Sequence, residues 1–275
     1  MIPYSAPMRR RDFITGSAIA ATTLAIPTIS SARDKKQNKQ FLELRIYHFS
    51  SPEKQQAFAD FLQNALVPAC NRAGVRPVGA FKLQAADNPD LKLTGDSTDL
   101  YMLLPHNSPE SLATFSSTLA NDKTFQQAGE AVIHASKSDP AFLRYESSLM
   151  LAFDGFPQVK VPTQAAGRLV QLRIYESHTN ERARKKIQMF NQGGELAIFA
   201  RTGMTGVFFG QTLIGSKLPC LTYMLGFPDE ETQKKAWDTF RNDPEWKKLS
   251  KEDEYKDAVS NITNLILRPL AASQI

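Results

Sequence analysis

The sequence predicts an α+β fold of two tandem ferredoxin-like units, each ordered β-α-β-β-α-β, that close as a dimeric-type α/β barrel. Three observations carry this. Leu44-Arg45-Ile46-Tyr47 returns letter for letter as Leu172-Arg173-Ile174-Tyr175 in a chain of 275 residues. The landmarks after each copy come in the same order: a helical stretch stopped by Gly74 or Gly203, a strand with Tyr101-Met102-Leu103 or Tyr223-Met224-Leu225, then Asn121-Asp122 or Asn242-Asp243 before an aromatic. Such ordered self-similarity marks a duplicated structural unit. Finally, a sheet with helices on one face needs cover for the other, and a second copy supplies it.

Residues 41–49 alternate apolar Leu44 and Ile46 with Glu43, Arg45 and Tyr47, the period of a strand. Ser50 or Ser51 ahead of Pro52-Glu53 opens a helix whose stripe is Phe58, Phe61, Leu62, Ala65, Leu66 and Ala69; Gly74 stops it and Pro68 kinks it near its end. Strands follow at 75–84 and 99–105, then a helix from Ser108-Pro109-Glu110 and a strand at 145–153. The second copy is read as strands at 169–176, 205–213, 221–226 and 265–268, with helices at 180–202 and 230–241. The repeats therefore span 41–153 and 168–275. Pro157, Pro162 and Gly155 mark 154–167 as a linker.

The beginning of the chain reads differently. Residues 1–32 resemble a twin-arginine signal: Arg10 and Arg11, then Phe13-Ile14, an apolar run to Ile26 and small residues up to Ala32, after which cleavage is expected. The run is shorter than the roughly 20 residues a membrane span needs. The expectation is export to the periplasm or another extracytoplasmic space, with no membrane attachment after cleavage. Residues 33–40 form a short polar segment before the first repeat.

The formal charge of +5 is mild and no basic patch is interleaved with aromatics, so nucleic acid is not an expected partner. Arg182, Arg184, Lys185 and Lys186 read as a solvated helix face. Cys70 and Cys220 fall at non-equivalent places and are expected as buried free thiols. His48, His106, His134 and His178 show no metal-ligand spacing, and no phosphate or dinucleotide motif occurs, so neither metal nor cofactor is expected. His48 shares the parity of Leu44 and Ile46, which argues against a haem ligand there.

If Leu44, Ile46, Leu172 and Ile174 pack under the helices, then Glu43, Arg45, Tyr47, Gln171, Arg173 and Tyr175 point between the two sheets, joined by Tyr101 and Tyr223. That places Arg45, Tyr47, Tyr101, Arg173, Tyr175 and Tyr223 around an inter-sheet ligand cavity. Arg173, Tyr175 and Glu195 are the catalytic candidates, an anion holder, a proton donor and an acid or base. Each also has a structural reading: Arg45 or Arg173 paired with Glu43, Glu176 or Glu195 and sealing the interface, and Glu195 paired with Arg173 or Arg201. Trp237, Phe240 and Trp246 read as core.

Residues Met189-Phe190-Asn191-Gln192-Gly193-Gly194-Glu195, Leu221-Thr222-Tyr223-Met224, Ala236-Trp237-Asp238-Thr239-Phe240, Asp243-Pro244-Glu245-Trp246 and Leu267-Arg268-Pro269 closely resemble the NIPSNAP family. The likeness is specific over 169–270 and weaker over 42–153; Cys220 stands where the family usually has Asn. The resemblance implies a dimeric α/β-barrel fold, often in tandem, and self-association, but no established reaction. The functional expectation is an exported small-ligand-binding or scaffold barrel holding a small apolar or acidic ligand. The alternative is a cofactor-independent, monooxygenase- or isomerase-like barrel enzyme.

Overall fold

The computed structural model describes residues 38–275; the expected signal segment with Arg10, Arg11 and Ala32 lies outside the described residues. Eight strands run in chain order: β1 (Phe41–His48), β2 (Gly79–Leu83), β3 (Leu100–His106), β4 (Arg144–Ala152), β5 (Leu169–Glu176), β6 (Gly206–Ile214), β7 (Cys220–Phe227) and β8 (Asn261–Pro269). They close into one antiparallel barrel in the order β1-β3-β2-β8-β5-β7-β6-β4. Read outward from β1, the order β4-β1-β3-β2 of the first four strands recurs as β8-β5-β7-β6. The two sets are stitched at two seams, β2 to β8 and β4 to β6.

Helices pack outside. The first set carries α1 (Pro52–Phe61), α2 (Val67–Arg72), α3 (Pro109–Ala120), α4 (Lys123–Ala128) and α5 (Glu130–Ile133). The second carries α6 (Asn180–Asn191), α7 (Glu195–Arg201), α8 (Glu230–Asn242) and α9 (Pro244–Leu249). Matching caps start matching helices: Ser51 and Thr179, Ser108 and Asp229, Asp122 and Asp243 each accept a hydrogen bond from a first-turn N–H. Gly74 and Gly203 take φ of +76° and +83° after α2 and α7, the left-handed conformation that ends a helix at glycine. Two residues earlier, Arg72 bonds Asp122 and Arg201 bonds Asp243, at 2.8 Å and 3.0 Å from Nε. Each arginine ties the end of one helix to the cap of another.

The long first helix of each half is interrupted, in the first half near Pro68, where a kink is expected. In the first, Leu62–Leu66 is a π-helical turn that delivers the chain to Pro68, whose missing N–H and ring cannot continue a regular α-helix. In the second, Gly193 and Gly194 break the helix outright. Gly194 has φ +94°, and a Cβ on Gly193 would lie 2.7 Å from the Met189 carbonyl oxygen. Glu195 consequently begins α7 rather than sitting within a helix.

Which face points inward is the reverse of the expectation. Leu42, Leu44, Leu172, Leu103, Met224 and Leu267 fill the barrel interior, whereas Tyr47, Met102, Tyr175 and Tyr223 belong to the clusters under the helices. The reason is that both faces of these strands are buried, so alternation defines two faces without saying which is inner. Eight strands leave an interior just wide enough for side chains to fill, and here Leu, Val and Met side chains occupy most of it together with Phe81, Tyr101 and Phe208. Glu43, Arg45, Gln171 and Arg173, on the parity of Tyr47 and Tyr175, go to the helix side. The two tyrosines of the third strands also part company. Leu44 faces Leu103 while Leu172 faces Met224, so Tyr101 is matched by Thr222, not Tyr223. A one-residue slip exchanges faces: Tyr101 lies in the barrel and Tyr223 under the helices.

Leu172, 1% exposed at the centre of the barrel, is a direct probe of this core. Leu172→Ala is expected to cost about 3 kcal/mol, from the range for buried leucine truncation, read from the urea unfolding midpoint.

Candidate functional site

In the first half the inner surface of the helix layer is built on β1. Glu43 and Arg45 stand on the same face and form a two-pronged pair, Arg45 Nε to Oε1 at 2.7 Å and Nη2 to Oε2 at 3.0 Å. Ser147 Oγ donates to Glu43 at 2.7 Å, and His106 Nε2, buried and otherwise without a partner, stands 3.5 Å from Glu43 Oε2. Arg45 also donates to the Tyr47 hydroxyl at 3.3 Å and lies 5.2–5.5 Å from the Tyr145 and Phe115 ring centres. Burial pushes the Glu43 carboxyl up, but His106, Arg45 and Ser147 outweigh it and bring it down to about 2. Burial pushes the Tyr47 phenol up, against the Arg45 charge.

Beside this pair opens a cleft of about 410 Å³ between β1, α1, α4, α5 and residues 135–142. Arg45 and Tyr47 supply its polar wall; Phe58, Phe61, Leu119, Phe125, Ile133 and Phe142 supply the apolar one. It falls in the size range of small-molecule sites. Sequence reasoning named Arg45 and Tyr47 but set them between the sheets. The Arg45–Glu43 pair is one that the sequence offers; the cleft is not, because its walls come from α4, α5 and the following loop.

In the corresponding layer of the second half a lysine takes the carboxylate. Glu195, 1% exposed, is held by Lys186 Nζ at 2.7 Å, and that ammonium lies 4.8–5.6 Å from the ring centres of Phe190, Tyr175 and Trp246. Lys186 is thus not part of a solvated face: the α6 stripe that carries it turns onto the sheet. Of the expected pairs Arg45–Glu43 forms, whereas Glu195 pairs with neither Arg173 nor Arg201; Lys186 holds it, and Arg201 binds Asp243 and Glu245. The Tyr223 hydroxyl donates to that of Tyr175 at 2.9 Å, and burial pushes the Tyr223 phenol well up. Burial likewise raises the Glu195 carboxyl, against the charges of Lys186 and Arg173. Arg173 stacks 4.7 Å from the Trp237 ring centre and 5.3 Å from that of Tyr175. Arg173, Tyr175 and Glu195 are therefore neighbours in the layer beneath the helices, not around an inter-sheet cavity. Trp237 adds a polar role to its place in the core, donating Nε1 to Gln171 Oε1 at 2.6 Å.

Inside the barrel, a cavity of about 220 Å³ is lined by Leu44, Ile46, Tyr101, Leu172 and Ile174, with Glu146, Lys217 and several hydroxyls. Of the expected ligand-binding set only Tyr101 reaches it. His48 lies beside it on the barrel parity, not the helix side, paired with Asp99 at 2.9 Å. Cys70 and Cys220 are buried and free; burial pushes the Cys70 thiol up to about 12 and raises Cys220. Among the described residues no group of His, Cys, Asp and Glu could hold a metal ion, and no helix is long and apolar enough to cross a membrane.

Two measurements test this charge arrangement. Glu43 carries a folded-state value near 2 against an ordinary 4.5, so its contribution is complete above pH 4.5 and is lost as pH falls through 2. The loss amounts to about 3 kcal/mol; urea unfolding between pH 6 and 2 should show it, and Glu43→Gln should flatten that part of the profile. Lys186→Met strands the buried Glu195 charge and is expected to cost about 3–5 kcal/mol, whereas adding Glu195→Leu should recover most of it.

Comparison with known proteins agrees with this architecture. Residues 170–274 match the family model described as NIPSNAP. Among solved structures, a proposed monooxygenase from Lactobacillus acidophilus NCFM aligns with a TM-score of 0.57 at 8% identity, covering 84% of this chain and 94% of that one. One from Fusobacterium nucleatum aligns at 0.54 and 12% identity, covering 84% and 93%. An uncharacterised NIPSNAP-like domain protein from Burkholderia xenovorans shares 25% identity over 38% of this chain and 86% of its own, with a TM-score of 0.35. No curated protein matches the sequence. The two monooxygenase likenesses are likenesses of fold alone. The second half of the chain thus carries the match to the NIPSNAP family, on an eight-stranded barrel whose fold the two longer relatives share.

Proposed function

We propose that this protein is a small-ligand-binding barrel and that its ligand occupies the first-half cleft rather than the space between the sheets. The observation that carries the reading is the cleft of about 410 Å³ with Arg45 and Tyr47 on an otherwise apolar, aromatic wall. Because Glu43 already neutralises Arg45, the cleft suits an uncharged apolar or aromatic molecule with one polar group near the Tyr47 hydroxyl. The second-half layer, filled by Phe190 and by Lys186 on Glu195, supports the fold rather than an equivalent cleft.

Around this site the wider reading is an exported protein, carried by the signal-like residues 1–32, built of two tandem ferredoxin-like units and self-associating as the NIPSNAP resemblance implies. Matching caps and the paired Arg72–Asp122 and Arg201–Asp243 contacts support the duplication. A cofactor-independent enzyme is the second reading. Its support is the buried Tyr47 hydroxyl beside the Arg45 guanidinium, a proton donor at the cleft wall. Glu195 does not add to it, since Lys186 holds its carboxylate.

The probe is 2-naphthol, a neutral bicyclic molecule with one hydroxyl, followed by its own fluorescence. Wild-type protein should bind it saturably, and Ala141→Trp, which fills the cleft from its loop wall, should lower the affinity at least tenfold without lowering the urea unfolding midpoint. Unchanged binding by a folded Ala141→Trp variant would reject the cleft as the site.

A further inference from the structure

Arg45 and Arg173 hold matching places in the repeated Leu-Arg-Ile-Tyr strands, opposite Met102 and Tyr223 on the neighbouring strands. Their surroundings differ in charge. Two residues before Arg45 stands Glu43, which clamps the guanidinium; two residues before Arg173 stands the neutral Gln171. The Gln171 amide does not turn toward Arg173. Its Oε1 accepts from Trp237 Nε1 at 2.6 Å and Gln233 Nε2 at 3.1 Å, and its Nε2 donates to Asn264 Oδ1 at 2.6 Å.

Among the described residues no other carboxylate replaces the missing one. Glu195 is near enough for its charge to be felt with that of Arg173, but Lys186 holds it at 2.7 Å. Counting Arg173 and Lys186 against Glu195, this layer carries one positive charge that no carboxylate among the described residues offsets. Arg173 Nε is buried without a hydrogen-bond partner, and among the described residues the side chain forms no salt bridge or hydrogen bond at all. An arginine in that state costs stability until an anion meets it. The residue as a whole is only half-buried, so the guanidinium is not sealed off. Trp237 and Tyr175 flank the guanidinium, whose nitrogens make no hydrogen bond among the described residues and so remain for a two-pronged partner.

We infer that Arg173 is a binding site for the carboxylate of a small planar organic acid, with Trp237 and Tyr175 as its aromatic flank. This site is separate from the first-half cleft and does not rest on it. The guanidinium plane matches a carboxylate, and the flanking rings favour a flat acyl group over a tetrahedral oxyanion.

Benzoate serves as the probe, read through tryptophan emission at constant ionic strength, since Trp237 touches the guanidinium. The wild-type protein should respond saturably. Arg173→Met should lose at least tenfold in affinity. Gln171→Glu, which installs in the second half the carboxylate that the first half already carries, should lose as much while unfolding in urea no earlier than wild type. Three results would overturn the proposal: no saturable response from wild type, wild-type affinity in a folded Gln171→Glu variant, or inorganic phosphate binding as tightly as benzoate.

Discussion

The pairing of β4 with β6 and of β8 with β2 is the constraint on which the rest of this molecule depends. Each set of four strands has two edges, and each edge would expose unpaired backbone groups. Exchanging last strands across the seams removes all of them at once. The chain beyond each last strand extends the seam: Phe153 and Lys160 donate to Phe209 and Val207, while Leu270 and Gln274 donate to Ala80 and Val78. Closure also decides where charge can go. The interior holds little beyond Leu44, Leu172, Met224 and their neighbours, so the long polar side chains of β1 and β5 must find partners in the layer beneath the helices.

That layer has been used in two ways. In the first half the Glu43–Arg45 pair is complete and a cleft remains open beside it. In the second half, Phe190 and the Lys186–Glu195 pair fill the space, and the arginine equivalent to Arg45 is left with rings instead of a carboxylate. The break at Gly193-Gly194 belongs to this difference. It lets α7 begin at Glu195 and places the carboxylate within reach of Lys186, an arrangement that the π-helical turn of the first half does not produce. A shared scaffold thus carries two different electrostatic environments, one balanced and one short of an anion.

Much of this was legible from residue patterns. The Leu-Arg-Ile-Tyr repetition, the stops at Gly74 and Gly203 and the caps at Ser51 and Ser108 are local features, set by backbone sterics and by hydrogen bonds within a few residues. They locate the strands and most of the helices. They do not say which side of a doubly buried strand faces inward, which is why Arg45 and Arg173 were expected between the sheets. Nor do they resolve a one-residue offset, so the pattern alone makes Tyr101 and Tyr223 look equivalent. The walls of the cleft drawn from α4, α5 and residues 135–142 carry no pattern that would announce them.

The sequence by itself determined the element order, its repetition and the identity of the polar side chains set into β1 and β5, because these depend on contacts short in sequence. The tertiary structure alone decided the inner face, the partner of each charge and the position of the open cleft. Those depend on barrel closure and on which distant side chain arrives first: Lys186 at Glu195, Glu43 at Arg45, and no carboxylate at Arg173.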